Sequence, residues 1–382
     1  MRVCIDVSPA VHCRAGIGRY AKELTASLLS YDPKNQYVIF YNRPSYAKVP
    51  SPLDASPRII SRLSDKPWRM RVFLAHLAHV PQDGLFPCID LFHATDNLIP
   101  CLTGLGKVFT LHDLAFRVCP ETHTTLNRLF LSLMMPRFLN AADRIIADSE
   151  STKKDVMRFY GVSGKKVEVI YPGVSLSFQR VENRDRLKAV RRQYFLPERF
   201  ILYVGTIEPR KNLPVLFEAF KAAQCPEVKL VVVGKKGWYY NKILERLKPL
   251  NIEKDVVFTG FVPDEDLPGL MSLAEVFAFP SIYEGFGFPV LEAMACGVPV
   301  ISSNASSLPE ITLDSAILLA PTDVRSWGQA LKSVIGDPEL KEEMRQRGYR
   351  RAGLFSWERT AVRTGRLYEE VYACRTGRAK PR

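Results

Sequence analysis

A chain of 382 residues is long for a single hydrophobic core and suits two domains of ordinary size. With 47% hydrophobic and 24% charged residues and no low-complexity tract it is not a disordered or fibrous protein, and no apolar run approaches the roughly 20 residues that cross a bilayer. The net charge of +13 points to an anionic partner: nucleic acid, lipid headgroups or a phosphorylated small molecule.

Nucleic acid ranks last, because no helix-turn-helix, aromatic RNP-type signature or zinc-finger spacing is present. The excess charge is uneven: residues 1–180 carry 23 basic against 15 acidic side chains, the remainder 30 against 25, so +8 of the +13 lies in the first half. Cysteines 4, 13, 88, 101, 119, 225, 296 and 374 form no CxxC pair and read as buried free thiols. Together with a start, MRVCIDVSPA, that reads as a buried strand rather than a signal peptide, this predicts a cytoplasmic protein.

In chain order, residues 3–7 form an apolar strand, followed by a loop bearing Gly16 and Gly18 and an amphipathic helix, AKELTASLLS. The Gly-x-Gly lacks the third glycine and the ribose-binding acid of a dinucleotide fingerprint, so a tight connection and a ligand loop stand equal. Further strands are expected at 37–41, 90–94, 108–111, 144–147 and 167–171, separated by helices, which makes a doubly wound parallel sheet. Ligands gather beyond the carboxyl ends of such strands, where His93 and His112 are expected.

His76 and His79 share a helix face at i, i+3 but have no supporting carboxylate, so packing is preferred to metal binding. The same helix, with Lys66, Trp68, Arg69 and Arg71 leading into Phe73 and Leu74, has the composition of a bilayer-docking helix. The favoured expectation is a helix that packs on the sheet and solvates its charged side. NRLFLSLMMPRFL, from Asn127, reads as core. Ser149 or Ser151 is placed to cap the helix that follows.

Residues 174–199 are polar, lack strand character and read as a linker. A second alternation follows, with strands at 200–204, 229–233, 256–258, 276–279, 298–301 and 316–319. The predicted organisation is a first parallel-sheet domain at 1–173, the linker at 174–199, a second at 200–356, and a helix over 357–382 that returns to the first. The last residues, RTGRAKPR, are expected to fray.

The chemistry concentrates in the second domain. SIYEGFGFPVLEAMACGVPV, residues 281–300, sets Glu284 and Glu292 around a loop with Gly285 and Gly287 that runs into a helix. Glycines permit close backbone approach and a helix start offers unpaired amides, so this is a seat for an anion flanked by acceptors for hydroxyl groups. VGTIEPRKNL ends the domain's first strand at Gly205 and supplies Arg210 and Lys211, a planar fork and a point charge suited to a diphosphate. Asp264-Glu265-Asp266 resembles a metal-binding DxD but reads as a helix start after Pro263.

VGTIEPRKNL and EGFGFPVLEAMACGVPVI, with LHD in the first half and GIGRY near the start, resemble family 4 of the retaining glycosyltransferases, whose fold is GT-B. The likeness runs from GIGRY to FSWERTA, and the start is similar to the branch containing O-antigen and polysaccharide mannosyltransferases. It implies an α/β protein of two Rossmann-like parallel-sheet domains facing a central cleft, the first for the acceptor and the second for a nucleotide sugar, with the C-terminal helix crossing back. It further implies catalytic roles for His112, Arg210, Lys211 and Glu284. Donor contacts fall to Gly16, Gly18, Gly205, Thr206, Phe286, Gly287, Phe288 and Glu292.

In that scheme Arg210 and Lys211 neutralise the donor diphosphate, Glu284 holds sugar hydroxyls, Glu292 the ribose, and His112 lies against the donor sugar. Gly16 sits by the diphosphate and acceptor. Thr206 stands where many members carry arginine, which shifts phosphate charge onto Arg210 and Lys211. Front-side attack lets the departing phosphate take the acceptor proton, so no carboxylate base, no metal and no cofactor are expected. Asp113 either orients His112 or caps a loop.

The implied reaction moves a hexose, mannose from GDP-mannose, to a glycan or lipid-linked acceptor. The charge of the first domain, read separately, predicts peripheral contact with anionic lipid at the inner face of the cell membrane. The alternatives are a nucleotide-sugar epimerase of the same architecture, which needs no acceptor, and a non-catalytic sugar-nucleotide-binding protein.

Overall fold

The structure, a computed structural model, describes residues 1–43 and 48–377. The chain divides into two compact units: the first comprises Met1–Arg117, Thr125–Gly173 and Ser356–Arg382, the second Val118–Thr124 and Val174–Phe355.

The first unit is built on seven strands: β1 (Arg2–Asp6), β2 (Gln36–Asn42), β3 (Arg58–Ser61), β4 (Leu91–Ala94), β5 (Gly106–Leu111), β6 (Arg144–Ala147) and β7 (Val167–Val169). They lie in the order β3-β2-β1-β4-β5-β6-β7, every pair parallel. Central strands such as β5 are buried at every residue, as a sheet covered on both faces requires, which is why they read as unbroken apolar runs. The order reverses between β1 and β4, so the loops after these two strands flank the point where such sheets open a crevice.

The second unit carries β8 (Phe200–Val204), β9 (Lys229–Val233), β10 (Val256–Gly260), β11 (Val276–Phe279), β12 (Val300–Ser303) and β13 (Ile317–Leu319). The order is β10-β9-β8-β11-β12-β13, again all parallel. Its reversal lies between β8 and β11. VGTIEPRKNL follows β8 and SIYEGFGFPV follows β11, so the two stretches singled out by composition are the two loops at the switch point.

The C-terminal helix, Trp357–Arg375, belongs to the first unit, as expected. Thr360 donates to the Tyr171 carbonyl (2.8 Å), Trp357 packs edge-on to Tyr20 (5.8 Å), and Arg144 donates to Glu370 (2.9 Å). Gly173 is required where this helix starts, since a Cβ there would lie 2.2 Å from the Trp357 nitrogen. The expected fraying concerns 375–382, of which 378–382 lie outside the described residues.

Several expectations need correction. Residues 174–199 are part of the second unit rather than a linker: they include a helix, Arg184–Gln193, capped by the Asn183 side chain. Val190 from that helix packs on Gly269, Arg186 donates to the Glu265 carbonyl (2.7 Å) and Tyr194 to Asp266 (2.6 Å). The Asp264–Asp266 run is thus the anchor of this helix and the start of another, Leu267–Ser272. Strand β3 was not anticipated. His93 lies inside β4, fully buried, its ring bonded to Thr110 (2.7 Å) and Tyr368 (2.6 Å), so it braces the C-terminal helix and does not face a ligand edge. All eight cysteines are free, but only Cys4, Cys119 and Cys296 are buried.

Candidate active site

In the second unit, Pro209–Lys211 make a single tight turn after β8, and Asn212 closes it in the left-handed region (φ 56°), a conformation asparagine tolerates. The Asn212 amide ties the turn to the neighbouring strand ends by donating to the carbonyls of Pro280 (3.2 Å) and Pro321 (2.6 Å). This sets Arg210 and Lys211 beside the loop after β11. Arg210 donates to Glu284 (2.9 Å), to Glu208 (2.8 Å) and to the Tyr283 carbonyl (2.7 Å). Lys211 donates to the other Glu284 oxygen (2.5 Å) and lies 5.2 Å from the centre of the Phe279 ring.

Glu208, Lys211 and Glu284 are all buried, so two carboxylates and two cations balance with little help from water. Burial pushes the Glu284 carboxyl up, but Arg210 and Lys211 outweigh it and hold the group down at about 2. It is a carboxylate at any physiological pH.

The loop is shaped by Gly287, whose φ is 110° and where an added Cβ would lie 2.7 Å from the Leu308 side chain, so other residues are excluded. Gly285, expected to share that role, is not in the positive-φ region. Ser306 accepts from the Glu284 amide (2.7 Å), and Ser307 donates to the carbonyls of Glu284 and Phe286 (2.9 Å each). The helix that follows, Phe288–Ala295, has no side-chain cap at Gly287. Glu292 is buried on its flank a little over one turn in. Phe286 is buried against Phe288 and Phe355, which leaves its backbone, not its ring, for a ligand.

Gly205 and Thr206 are held by the loop after β9. A Cβ on Gly234 would lie 1.9 Å from the Gly205 carbonyl oxygen, and Ile207 bridges to Lys236. Arg210, Lys211, Glu284, Gly205, Thr206, Phe286, Gly287, Phe288 and Glu292 therefore all belong to one unit and to adjacent segments. Sequence reasoning missed Glu208, Ser306 and Ser307. The signal for the serines was the run SSNASSLPE directly before a helix.

In the first unit, His112 follows β5. Its Nδ1 faces Asp148 (2.6 Å) and its Nε2 the Thr95 carbonyl (2.8 Å), with Tyr20 edge-on at 4.8 Å. Two acceptors require both ring nitrogens to donate, which is the imidazolium form. Burial would lower the pKa, but Asp148 and the Thr95 carbonyl win, and it is pushed up to about 9. Burial acts oppositely on Asp148, raising its carboxyl against the pull of His112. The contact length and the second acceptor put the proton on the ring. Asp113 caps, accepting from the Ala115 amide (2.9 Å).

Gly16 and Gly18 do not lie in a loop. They fall in the first turn of the helix Ala15–Tyr31, Gly16 exposed and Gly18 pressed on a short preceding helix, where a Cβ would meet the Pro9 carbonyl at 2.7 Å. Two further groups at this edge were not anticipated. Asp6, the last residue of β1, accepts from Ser8 and is pushed up to about 7 by burial. Arg14 bridges Asp65 (2.7 Å) and Asp96. An aspartate ending an otherwise apolar strand was the available sign.

Comparison with known proteins fits this arrangement. Residues 14–178 match the family described as Glycosyltransferase Family 4, and residues 188–351 the one described as Glycosyl transferases group 1. The chain is 27% identical to the O-antigen chain mannosyltransferase B of Escherichia coli over 383 aligned positions, 97% of this chain and 100% of that protein. It is 31% identical over 226 residues to the serotype-specific mannosyltransferase WbdA of E. coli, spanning 58% of this chain and 28% of that protein. Among solved structures, sucrose-phosphate synthase from Thermosynechococcus elongatus superposes with a TM-score of 0.77 at 22% identity, covering 98% of this chain and 100% of that one.

Proposed function

We propose, for a chain that belongs to the family 4 glycosyltransferases and has the GT-B fold, that the hexose it transfers is mannose, taken with retention from GDP-mannose and delivered to a glycan or lipid-linked acceptor. That it is a hexosyltransferase is given by the family. The sugar rests on one observation, the full-length similarity to an O-antigen mannosyltransferase.

The residues support the following sequence of events. The bond from the anomeric carbon to the diphosphate oxygen breaks, the acceptor oxygen bonds that carbon, and the acceptor proton passes to the departing phosphate. Negative charge grows on the leaving group, so the cations must be fixed before the reaction starts. Glu284 and Glu208 fix them, holding Arg210 and Lys211 at 2.5 to 2.9 Å. Lys211 gives one of its three N–H groups to Glu284 and retains two for phosphate oxygens. Glu284, ionised and with acceptor sites to spare, suits sugar hydroxyls, and Glu292 the ribose. His112, an imidazolium at neutral pH with both nitrogens engaged, suits a positive charge better than a proton acceptor.

The test is a panel of nucleotide sugars, scored by nucleoside diphosphate release with and without a mannan-type oligosaccharide acceptor. Acceptor-dependent GDP release from GDP-mannose is expected. Preference for a uridine donor would overturn the assignment of the sugar nucleotide, and an epimer formed from donor alone would overturn transfer.

A further inference from the structure

The outer edge of the first unit's sheet turns one face away from the core. Side chains alternate along a strand, so β2 sends Phe40 to one side, where its ring packs on Trp68 (5.1 Å) and Phe86 (5.3 Å), and Tyr41 to the other. The register sets Arg58 of β3 beside Ile39 and Ile60 beside Tyr41. One step further the Arg43 amide donates to the Ser61 carbonyl (3.1 Å), which sets Arg43 next to Arg62 at the carboxyl ends of the two strands. With Lys48 and Asp54 from the connection between the strands, Tyr41, Arg43, Arg58, Ile60 and Arg62 line an open cavity of about 740 Å³. Its floor holds the Tyr41 ring and Ile60, which is 49% exposed. Cations stand at both ends, Arg58 at one and Arg43 with Arg62 at the other, about 13 Å apart by the rise of the strand.

Two features single this cavity out. Like charges at opposed positions of adjacent strands repel, yet Arg43, Lys48 and Arg62 pair with no acid among the described residues. Asp54 is the one acid in the lining, against four cations. In addition Tyr41 is only 6% exposed, and its hydroxyl has no hydrogen-bond partner among the described residues. We propose that the cavity binds a soluble ring compound carrying phosphate at two ends, of the class of sugar and nucleoside bisphosphates. Two guanidinium forks match the oxygens of one phosphate, and a dianion between Arg43 and Arg62 turns their repulsion into attraction. Arg58 gives one N–H to the Asp54 carbonyl (2.5 Å), which steadies the guanidinium, and keeps its others for the second phosphate, with Lys48. Between them Tyr41 and Ile60 offer an apolar floor for a ring and one hydroxyl to bond it. The cavity lies on the far side of β1 from the β1–β4 reversal and in a different unit from Arg210 and Lys211. The inference is therefore independent of donor and acceptor.

Isothermal titration calorimetry of the full chain tests it, with fructose bisphosphate, phosphorylated at both terminal carbons, and with adenosine bisphosphate, phosphorylated at two separate ribose carbons. At least one should bind, and its monophosphate should bind more weakly because it reaches the cations at one end only. Arg43→Gln with Arg62→Gln should weaken binding about 100-fold, at about tenfold for each charged hydrogen bond lost. The same pair should not lower the Tm of the unliganded chain, since it relieves a repulsion. Tyr41→Phe should weaken binding about threefold, and Lys211→Ala should leave it unchanged. Binding of neither bisphosphate would overturn the proposal, as would binding that Lys211→Ala abolishes and the arginine pair retains. Attachment to phosphatidylglycerol vesicles that the arginine pair abolishes, with no affinity for either soluble probe, would overturn it in favour of a lipid headgroup.

Discussion

The carboxyl ends of the two sheets are charged in different ways. In the second unit Arg210 and Lys211 face Glu208 and Glu284, and the two cations hold the Glu284 carboxyl down at about 2, so that carboxylate keeps one charge through the neutral range. In the first, His112 faces Asp148, and Asp6 and Arg14 sit nearby, so the charge at that edge depends on groups that titrate. Constant charge suits the proposed role of this unit, meeting a diphosphate whose own charge hardly varies. Titratable charge makes the other edge sensitive to pH and to what packs over it.

The sharpest way to break this contrast is to remove one fixed charge. Lys211→Ala should lower transfer by about 100- to 1000-fold, the usual loss for one preorganised donor to developing negative charge. Because Lys211 is buried against Glu284, the same change should also cost about 3 kcal/mol of stability, by leaving a carboxylate underpaired. Steady-state rates and urea unfolding measure the two losses. The double variant with Glu284→Ala should recover part of the stability and none of the activity, and strict additivity in stability would show that the pair does not couple.

The two units should then fail at opposite ends of the pH scale. Glu284 is depressed from 4.5 to about 2, so its contribution is complete above about pH 4.5 and is lost as pH falls toward 2; the difference is worth about 3 kcal/mol. His112 is raised from 6.5 to about 9, so its contribution is complete below about pH 6.5 and is lost as pH rises through 9, by at most about 3 kcal/mol. Hydrogen exchange separates the units. Strand β8 should lose protection on the acid side and β5 on the alkaline side, with Glu284→Gln flattening the first limb and His112→Asn the second. Loss of both strands together at either end would dissolve the contrast.

Most of this fold was readable because buried parallel strands are continuous apolar runs bounded by glycine and proline. Strand β3 was not, since RIIS is a four-residue edge strand exposed at alternate positions. The 174–199 segment looked like a linker because its helix buries only Val190, and a nearly all-polar helix has the composition of solvated chain. Arg210, Lys211 and Glu284 were legible as chemistry, but their pairing was not. The bonds join residues 73 and 74 positions apart, and composition shows no partner at that range. Glu208 escaped for another reason: it pairs with Arg210 two positions on, and an acid beside a basic pair in a loop reads as ordinary solvated charge. Nor could composition tell which side of NRLFLSLMMPRFL faces water: Leu129 and Leu133 do, so the segment is not wholly core, and the helix Asp65–Leu77 likewise turns Met70 and Leu74 outward with its charges.

The smallest test concerns how each unit starts the helix beside its charged group. Ser149 caps the helix Glu150–Tyr160 by accepting from the Thr152 amide (3.1 Å), and Thr152 in turn donates to the His112 carbonyl (3.2 Å). The cap thus fixes the chain directly after Asp148, whereas no side chain caps the helix at Gly287. Ser149→Ala should cost about 1 kcal/mol, the ordinary value of a serine cap. If the cap also positions Asp148, the alkaline limb assigned to His112 should move to lower pH, because a less constrained carboxylate holds the imidazolium proton less firmly. The acid limb of the second unit should not move at all. A loss of stability with both limbs unchanged would confine the serine to capping and leave the His112–Asp148 contact to be held by burial alone.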